Sequence, residues 1–190
     1  MFYCREKELS DLNRRYQEGR FECAIVYGRR RVGKTALINE FCKDKPTIFF
    51  SALNATSGEN LEALSRAIYE KDHKDGTSAP IYQSFENAFS DITRMAEKER
   101  LIFVIDEYPY LARAEQSISS RLQHIIDRIW QNGRLFLILC GSSMSFMENQ
   151  VLGYESPLYG RRTAQYKIEA LTYREITAFN PRLSCEKQAL

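Results

Sequence analysis

Two five-residue runs, Leu101-Ile102-Phe103-Val104-Ile105 and Leu135-Phe136-Leu137-Ile138-Leu139, contain no polar side chain. A strand with one wet face alternates apolar and polar residues, so unbroken runs of this length are expected where helices cover both faces of a parallel sheet. Parallel strands need long crossovers, and the intervening sequence supplies them. Helical spacing over residues 6–18 (Leu9, Leu12, Tyr16), 35–42, 60–69, 82–98 (Phe85, Phe89, Ile92, Met95) and 117–130 (Leu122, Ile125, Ile126, Ile129, all expected to face inward) alternates with strand-like runs at 21–27, 47–53 and 165–168. A polar loop over 71–80, a short helix over 144–150 and a closing helix over 173–179 complete the expectation. Strands alternating with helices predict an α/β fold, and no internal boundary interrupts residues 1–190.

The 190 residues, 44% hydrophobic and 27% charged, are enough to bury one core, and a net charge of +2 gives little support to nucleic acid as a partner. Cys4, Cys23, Cys42, Cys140 and Cys185 are odd in number and form no C-x-x-C pair, which argues against a disulfide framework and against a zinc site. They read as reduced thiols, hence a cytoplasmic protein. His73 and His124 lack ligand-like spacing and read as ordinary surface or packing residues. The N-terminus has no signal-peptide stretch, and no run is long enough to span a membrane.

The chemistry-bearing pattern is Gly28-Arg29-Arg30-Arg31-Val32-Gly33-Lys34-Thr35, which fits G-x-x-x-x-G-K-T between an expected strand and an expected helix. Glycines let the backbone wrap a phosphate, consecutive N–H groups point inward, and the helix opening at Lys34-Thr35-Ala36 adds its positive end. Lys34 is expected at the β- and γ-phosphates and the Thr35 hydroxyl on Mg²⁺. Because the backbone does the cradling, the side chains of Arg29, Arg30 and Arg31 are expected to point away from the nucleotide.

Asp106 and Glu107 end the 101–105 strand, where a carboxylate can hold the Mg²⁺ shell and the next one can polarise an attacking water. Gly141-Ser142-Ser143 ends the following strand, and either hydroxyl is a candidate sensor of the γ-phosphate or a helix N-cap. Tyr159-Gly160-Arg161-Arg162 precedes the last strand, and either guanidinium is a candidate for transition-state charge, in cis or from a neighbouring subunit.

With these motifs in order, the sequence resembles the archaeal and bacterial ATPase family of AAA+-related STAND-class P-loop ATPases. Phe2-Tyr3-Cys4-Arg5-Glu6-Lys7-Glu8 looks like that group's hhGRExE motif, with Cys4 where the family has Gly. The resemblance implies that Arg5 and Glu6 help hold the adenine side of ATP. It also implies a P-loop NTPase three-layer sandwich whose five parallel strands run in the order 5-1-4-3-2. Relatives carry a C-terminal lid and a winged-helix domain, which this chain is expected to lack or to carry truncated. The expected activity is that of an Mg²⁺-dependent ATP-hydrolysing switch, with ATP and ADP as ligands and a homo-oligomer or partner domain supplying a lid or an arginine. A binding module with negligible turnover, a phosphotransferase and a DNA-processing ATPase stand as alternatives.

Overall fold

In the computed structural model, residues 5–73 and 79–171 are described. The motif residues Phe2, Tyr3 and Cys4, the centre of the 71–80 loop and the expected helix over 173–179 lie outside them.

In chain order the elements are α1 (Glu6–Gln17), β1 (Glu22–Tyr27), α2 (Lys34–Cys42), β2 (Thr47–Ser51), α3 (Ser57–Asp72), α4 (Phe85–Lys98), β3 (Ile102–Asp106), α5 (Tyr108–Ala114), α6 (Ile118–Arg128), β4 (Phe136–Gly141), a one-turn α7 (Met144–Phe146) and β5 (Ala164–Lys167). A 3₁₀ turn (Trp130–Asn132) precedes β4, and a π-helical turn (Met147–Val151) follows α7. The five strands form one sheet in the order β2-β3-β4-β1-β5, and every pairing is parallel. That is the expected 5-1-4-3-2 arrangement counted from the other side.

The sheet buries both faces. Cys23, Ile25 and Tyr27 of β1 join Phe103, Leu137, Leu139 and the α3, α4 and α6 side chains on one face. Ala24 and Val26 join Val104, Ile138, Leu12, Leu37, Ile38 and Phe41 on the other. At about 25 cal/mol per Å² of apolar surface, such two-sided burial is the dominant favourable contribution to folding.

Several boundaries differ from the sequence expectation, and four are instructive. Helix α3 begins at Ser57 rather than Asn60, because Thr56 and Glu59 form a reciprocal capping box. It also runs on through Lys71 and Asp72, shortening the expected loop. Helix α4 begins at Phe85, with the Ser84 hydroxyl accepting from the Asn87 N–H, rather than at Tyr82. Ile129 is not inward: α6 ends at Arg128, and the tightening into the 3₁₀ turn buries Trp130 while leaving Ile129 48% exposed.

Parallel pairing puts every strand's carboxyl end on one edge. The loops after β1, β3 and β4 therefore meet there, and the loops entering the strands lie on the opposite edge.

Candidate functional site

The loop after β1 turns on two backbone positions. Gly33 has φ +91° and caps α2, its carbonyl accepting from the Leu37 N–H at 3.0 Å. Arg31 has φ +64°, a conformation seldom taken by a side chain of this size. Gly28 is needed for a different reason: a Cβ there would come 2.1 Å from the Ile168 backbone oxygen just after β5. The loop is thus pressed against the sheet edge and opens towards α2, whose N-terminal N–H groups carry about half a unit of positive charge.

Lys34 is buried. Its Nζ donates to the Gly28 carbonyl at 3.0 Å and the Arg29 carbonyl at 2.9 Å, so the ammonium lies across the concave side of the loop. The adjacent Thr35 Oγ1 donates to Asp106 Oδ2 at 3.0 Å, joining the loop to the tip of β3. Asp106 is buried, and its other oxygen accepts from the Glu107 N–H at 3.0 Å. A hydroxyl and a carboxylate held together beside a phosphate-binding loop are the hard oxygen donors that Mg²⁺ takes, its remaining positions going to phosphate and water. Two protein oxygens at the end of a phosphate-binding loop suit a metal whose other ligands come from substrate and water. Cys140 lies beside Asp106, and burial followed by the aspartate's charge pushes its thiol far above the ordinary range, keeping it neutral.

Glu107 is held in an unusual way. Its backbone is left-handed, φ +51° and ψ +42°, at the junction between β3 and α5. Its Oε2 accepts from Ser142 Oγ at 2.9 Å and, more weakly, from the Ser142 N–H at 3.4 Å. Ser142 is therefore the residue that positions the acid. Ser143 is the N-cap residue of the one-turn α7, and its carbonyl accepts from Met147 N–H. Gly141, just before them, has no space for a side chain: a Cβ would meet Met147 Sδ at 2.6 Å and Pro109 Cδ at 2.9 Å.

These groups surround a cavity of about 540 Å³ lined by Arg30, Arg31, Gly33, Lys34, Thr35, Ala36 and Glu107. Arg30 and Arg31 are among the residues that line the cavity. Arg29 and Val32 instead line a neighbouring cavity of about 340 Å³ with Gly28, Met144, Lys167, Ile168, Glu169 and Ala170. Arg5 reaches that side, donating to the Glu169 carbonyl, and it pairs with Glu8 at 3.5 Å. Glu6 opens α1 beside it.

Arg161 and Arg162 are not part of this constellation. Thr163, the next residue, bonds to Cys23 near the start of β1, so both arginines lie on the edge opposite the phosphate loop. A rise of about 3.3 Å per strand residue separates the edges by well over 10 Å. Arg161 forks onto Asp127 at 2.9 and 2.7 Å, and Arg162 donates to the Leu152 carbonyl at 3.2 Å. Action in cis on this chain's own nucleotide is excluded by that placement. Sequence reasoning missed α5 altogether, and with it Tyr110, whose hydroxyl accepts from the Arg30 guanidinium.

Residues 2–190 match the family described as an ATPase domain predominantly from Archaea. An uncharacterized protein of Methanocaldococcus jannaschii, MJECL04, is 33% identical over 187 residues, covering 98% of this chain and 40% of its own length. The uncharacterized ATP-binding protein MJ0423 of the same organism is 49% identical over 45 residues, 24% of this chain and 76% of its own. Among solved structures, the Walker-type ATPase PABY2304 of Pyrococcus abyssi has a TM-score of 0.70 at 22% identity, over 95% of this chain and 57% of that one. The Aeropyrum pernix ORC1 protein, solved in complex with DNA, has a TM-score of 0.66 at 19% identity, over 100% of this chain and 50% of that one. At these identities the two structures share the fold. The chain spans two-fifths of the first of these relatives.

Proposed function

Because the chain belongs to the family of ATPase domains found predominantly in Archaea, we propose that it binds ATP with Mg²⁺ in the 540 Å³ cavity and hydrolyses it to ADP and phosphate. The observation that carries this reading is the 3.0 Å bond between Thr35 and Asp106, which ties the phosphate loop that carries Lys34 to the strand end that carries Glu107.

Lys34 exchanges its loop carbonyls for the β- and γ-phosphate oxygens, a charge-assisted bond about twice as strong as a neutral one. Thr35 and Asp106 would hold the metal, whose chemistry, when it is bound, would be to offset phosphate charge. Glu107 accepts a hydrogen bond from the attacking water. The water oxygen bonds to the γ-phosphorus as the bond to the β–γ bridging oxygen breaks, and ADP leaves with that electron pair. The water's proton passes by way of Glu107 to the products. Ser142 orients Glu107, and Ser143 shapes the backbone behind it. Arg5 and Glu6 stand on the adenine side, next to the smaller cavity.

The reading extends to a conformational output to partner domains, which the resemblance to STAND-class ATPases implies. The arginine role expected of Arg161 or Arg162 is open only towards the site of a second copy. Nucleic acid enters through likenesses of fold, such as that to the ORC1 protein solved with DNA. Among the described residues no helix is long and apolar enough to cross a membrane.

The test is a titration of ATP, ADP and GTP with Mg²⁺ on the chain and two variants. Lys34→Ala is expected to abolish nucleotide binding. Glu107→Gln is expected to bind ATP as before and to turn over about 100-fold or more slowly. Stabilisation by GTP alone, or ATP binding unchanged in Lys34→Ala, would overturn the assignment.

A further inference from the structure

With Arg161 and Arg162 on the far edge, the transferred phosphate needs a guanidinium from elsewhere if the chain is to act on its own nucleotide. Arg30 has the right position. It leaves the phosphate loop between Gly28 and Lys34 and ends at the hydroxyl of Tyr110, in the first turn of α5. Tyr110 N–H donates to the Glu107 carbonyl at 2.9 Å, so the acceptor of Arg30 is anchored on the residue that faces the water. A side chain that starts on the loop after β1 and ends on the helix after β3 crosses the mouth of the cavity. Arg30, Lys34 and Glu107 all line that cavity. The terminal phosphate of a bound nucleotide belongs between them.

The partner that Arg30 has now is a neutral phenol. Among the described residues one of its five N–H donors is used there, and the fork suits planar recognition of phosphate oxygens. Charge-assisted bonds are about twice as strong as neutral ones, so a γ-phosphate is the preferred acceptor. ADP presents nothing at that place.

We propose that Arg30 is a catalytic residue supplied in cis, which binds the γ-phosphoryl oxygens and stabilises the charge they gain as the bond to the bridging oxygen breaks. Tyr110 is its positioning residue: its hydroxyl holds the guanidinium over the cavity and ties it to the start of α5. Arg30 itself makes and breaks no covalent bond. The inference rests on the proposed ATPase reading and adds to it the residue that distinguishes ATP from ADP.

Arg30→Ala, Arg30→Lys and Tyr110→Phe are each measured for turnover and for ATP and ADP affinity with Mg²⁺, the ATP affinities in a Glu107→Gln background. Arg30→Ala is expected to lower kcat about 100-fold, below the 10³–10⁵ of arginines fully enclosed in a complex, and to weaken ATP about 10-fold while ADP stays within about threefold. Arg30→Lys should not recover the loss, because an ammonium lacks the fork. Tyr110→Phe should lower kcat about fivefold at nearly unchanged KM and have no added effect on top of Arg30→Ala; a merely structural role would add. Wild-type kcat and ATP affinity in Arg30→Ala, or an equal loss for ATP and ADP, would overturn the proposal while leaving the ATPase reading intact. Failure of the unmodified chain to bind either nucleotide would sink that reading first.

Discussion

Ser142 Oγ donates to Glu107 Oε2 at 2.9 Å, a bond between residues 35 positions apart that joins the ends of β4 and β3. A carboxylate on a left-handed backbone has few other contacts to fix its direction, and this hydroxyl supplies one. Ser142→Ala is expected to lower kcat about 10-fold, the worth of one orienting hydrogen bond to a charged group, with KM within about threefold. Steady-state kinetics check it. A loss carried by KM would mean that Ser142 binds substrate and does not aim the acid.

The 3.0 Å contact between Thr35 and Asp106 makes a metal prediction. Thr35→Ala removes one of two oxygen donors, and the Mg²⁺ concentration for half-maximal turnover should rise about 10-fold or more, whereas Thr35→Ser should retain the wild-type value. A magnesium titration at saturating ATP decides it.

Gly28 is fixed by the approach of Ile168. Gly28→Ala places a methyl group 2.1 Å from a backbone oxygen that cannot rotate away. Overpacking of this kind costs about 2 kcal/mol, or about 4–8 °C in Tm for a chain of this size. Thermal unfolding without nucleotide measures it, and loss of nucleotide binding should accompany it, because the displaced segment borders the loop.

Acid should uncouple α1 from β5. Burial opposes the charge of Asp11, but hydrogen bonds from Tyr166, Arg14 and Arg15 outweigh it and hold its pKa at about 2, below the ordinary 3.8. A carboxyl depressed on folding stabilises the native state above its unfolded pKa and loses that contribution as pH falls through the folded value. The window therefore runs from about pH 4 down to about pH 2. Asp11→Asn should be less stable than the parent at pH 7, and the gap should close across that window in urea denaturation.

Much of the sheet was legible because two-sided burial writes itself into the sequence as apolar runs such as 135–139. The phosphate loop was legible because wrapping an anion with backbone demands glycines at fixed spacing. What stayed hidden depends on direction rather than composition. Helix α5 starts at Tyr108 with no side-chain cap, straight after a left-handed Glu107, so neither periodicity nor a capping residue announces it. Tyr110 was lost with it. The start of α3, by contrast, was written in Thr56-x-x-Glu59 and was available to a closer look. Arg161 and Arg162 have the residue type and order of an arginine motif, but only the pairing of β5 with β1 reveals that they lie on the wrong edge for action in cis. That backbone does the cradling says nothing of where the long side chains of the loop arginines end.

The crowding at Gly141 has a mechanical result. With Met147 and Pro109 both within 3 Å of where a Cβ would be, α5 and the π-helical turn after α7 have no slack between them. Close-packed interiors pass displacement on rather than absorbing it. A shift of α5, which begins at Tyr108, would therefore press on the 147–151 turn beside Gly141, as two gears share a tooth.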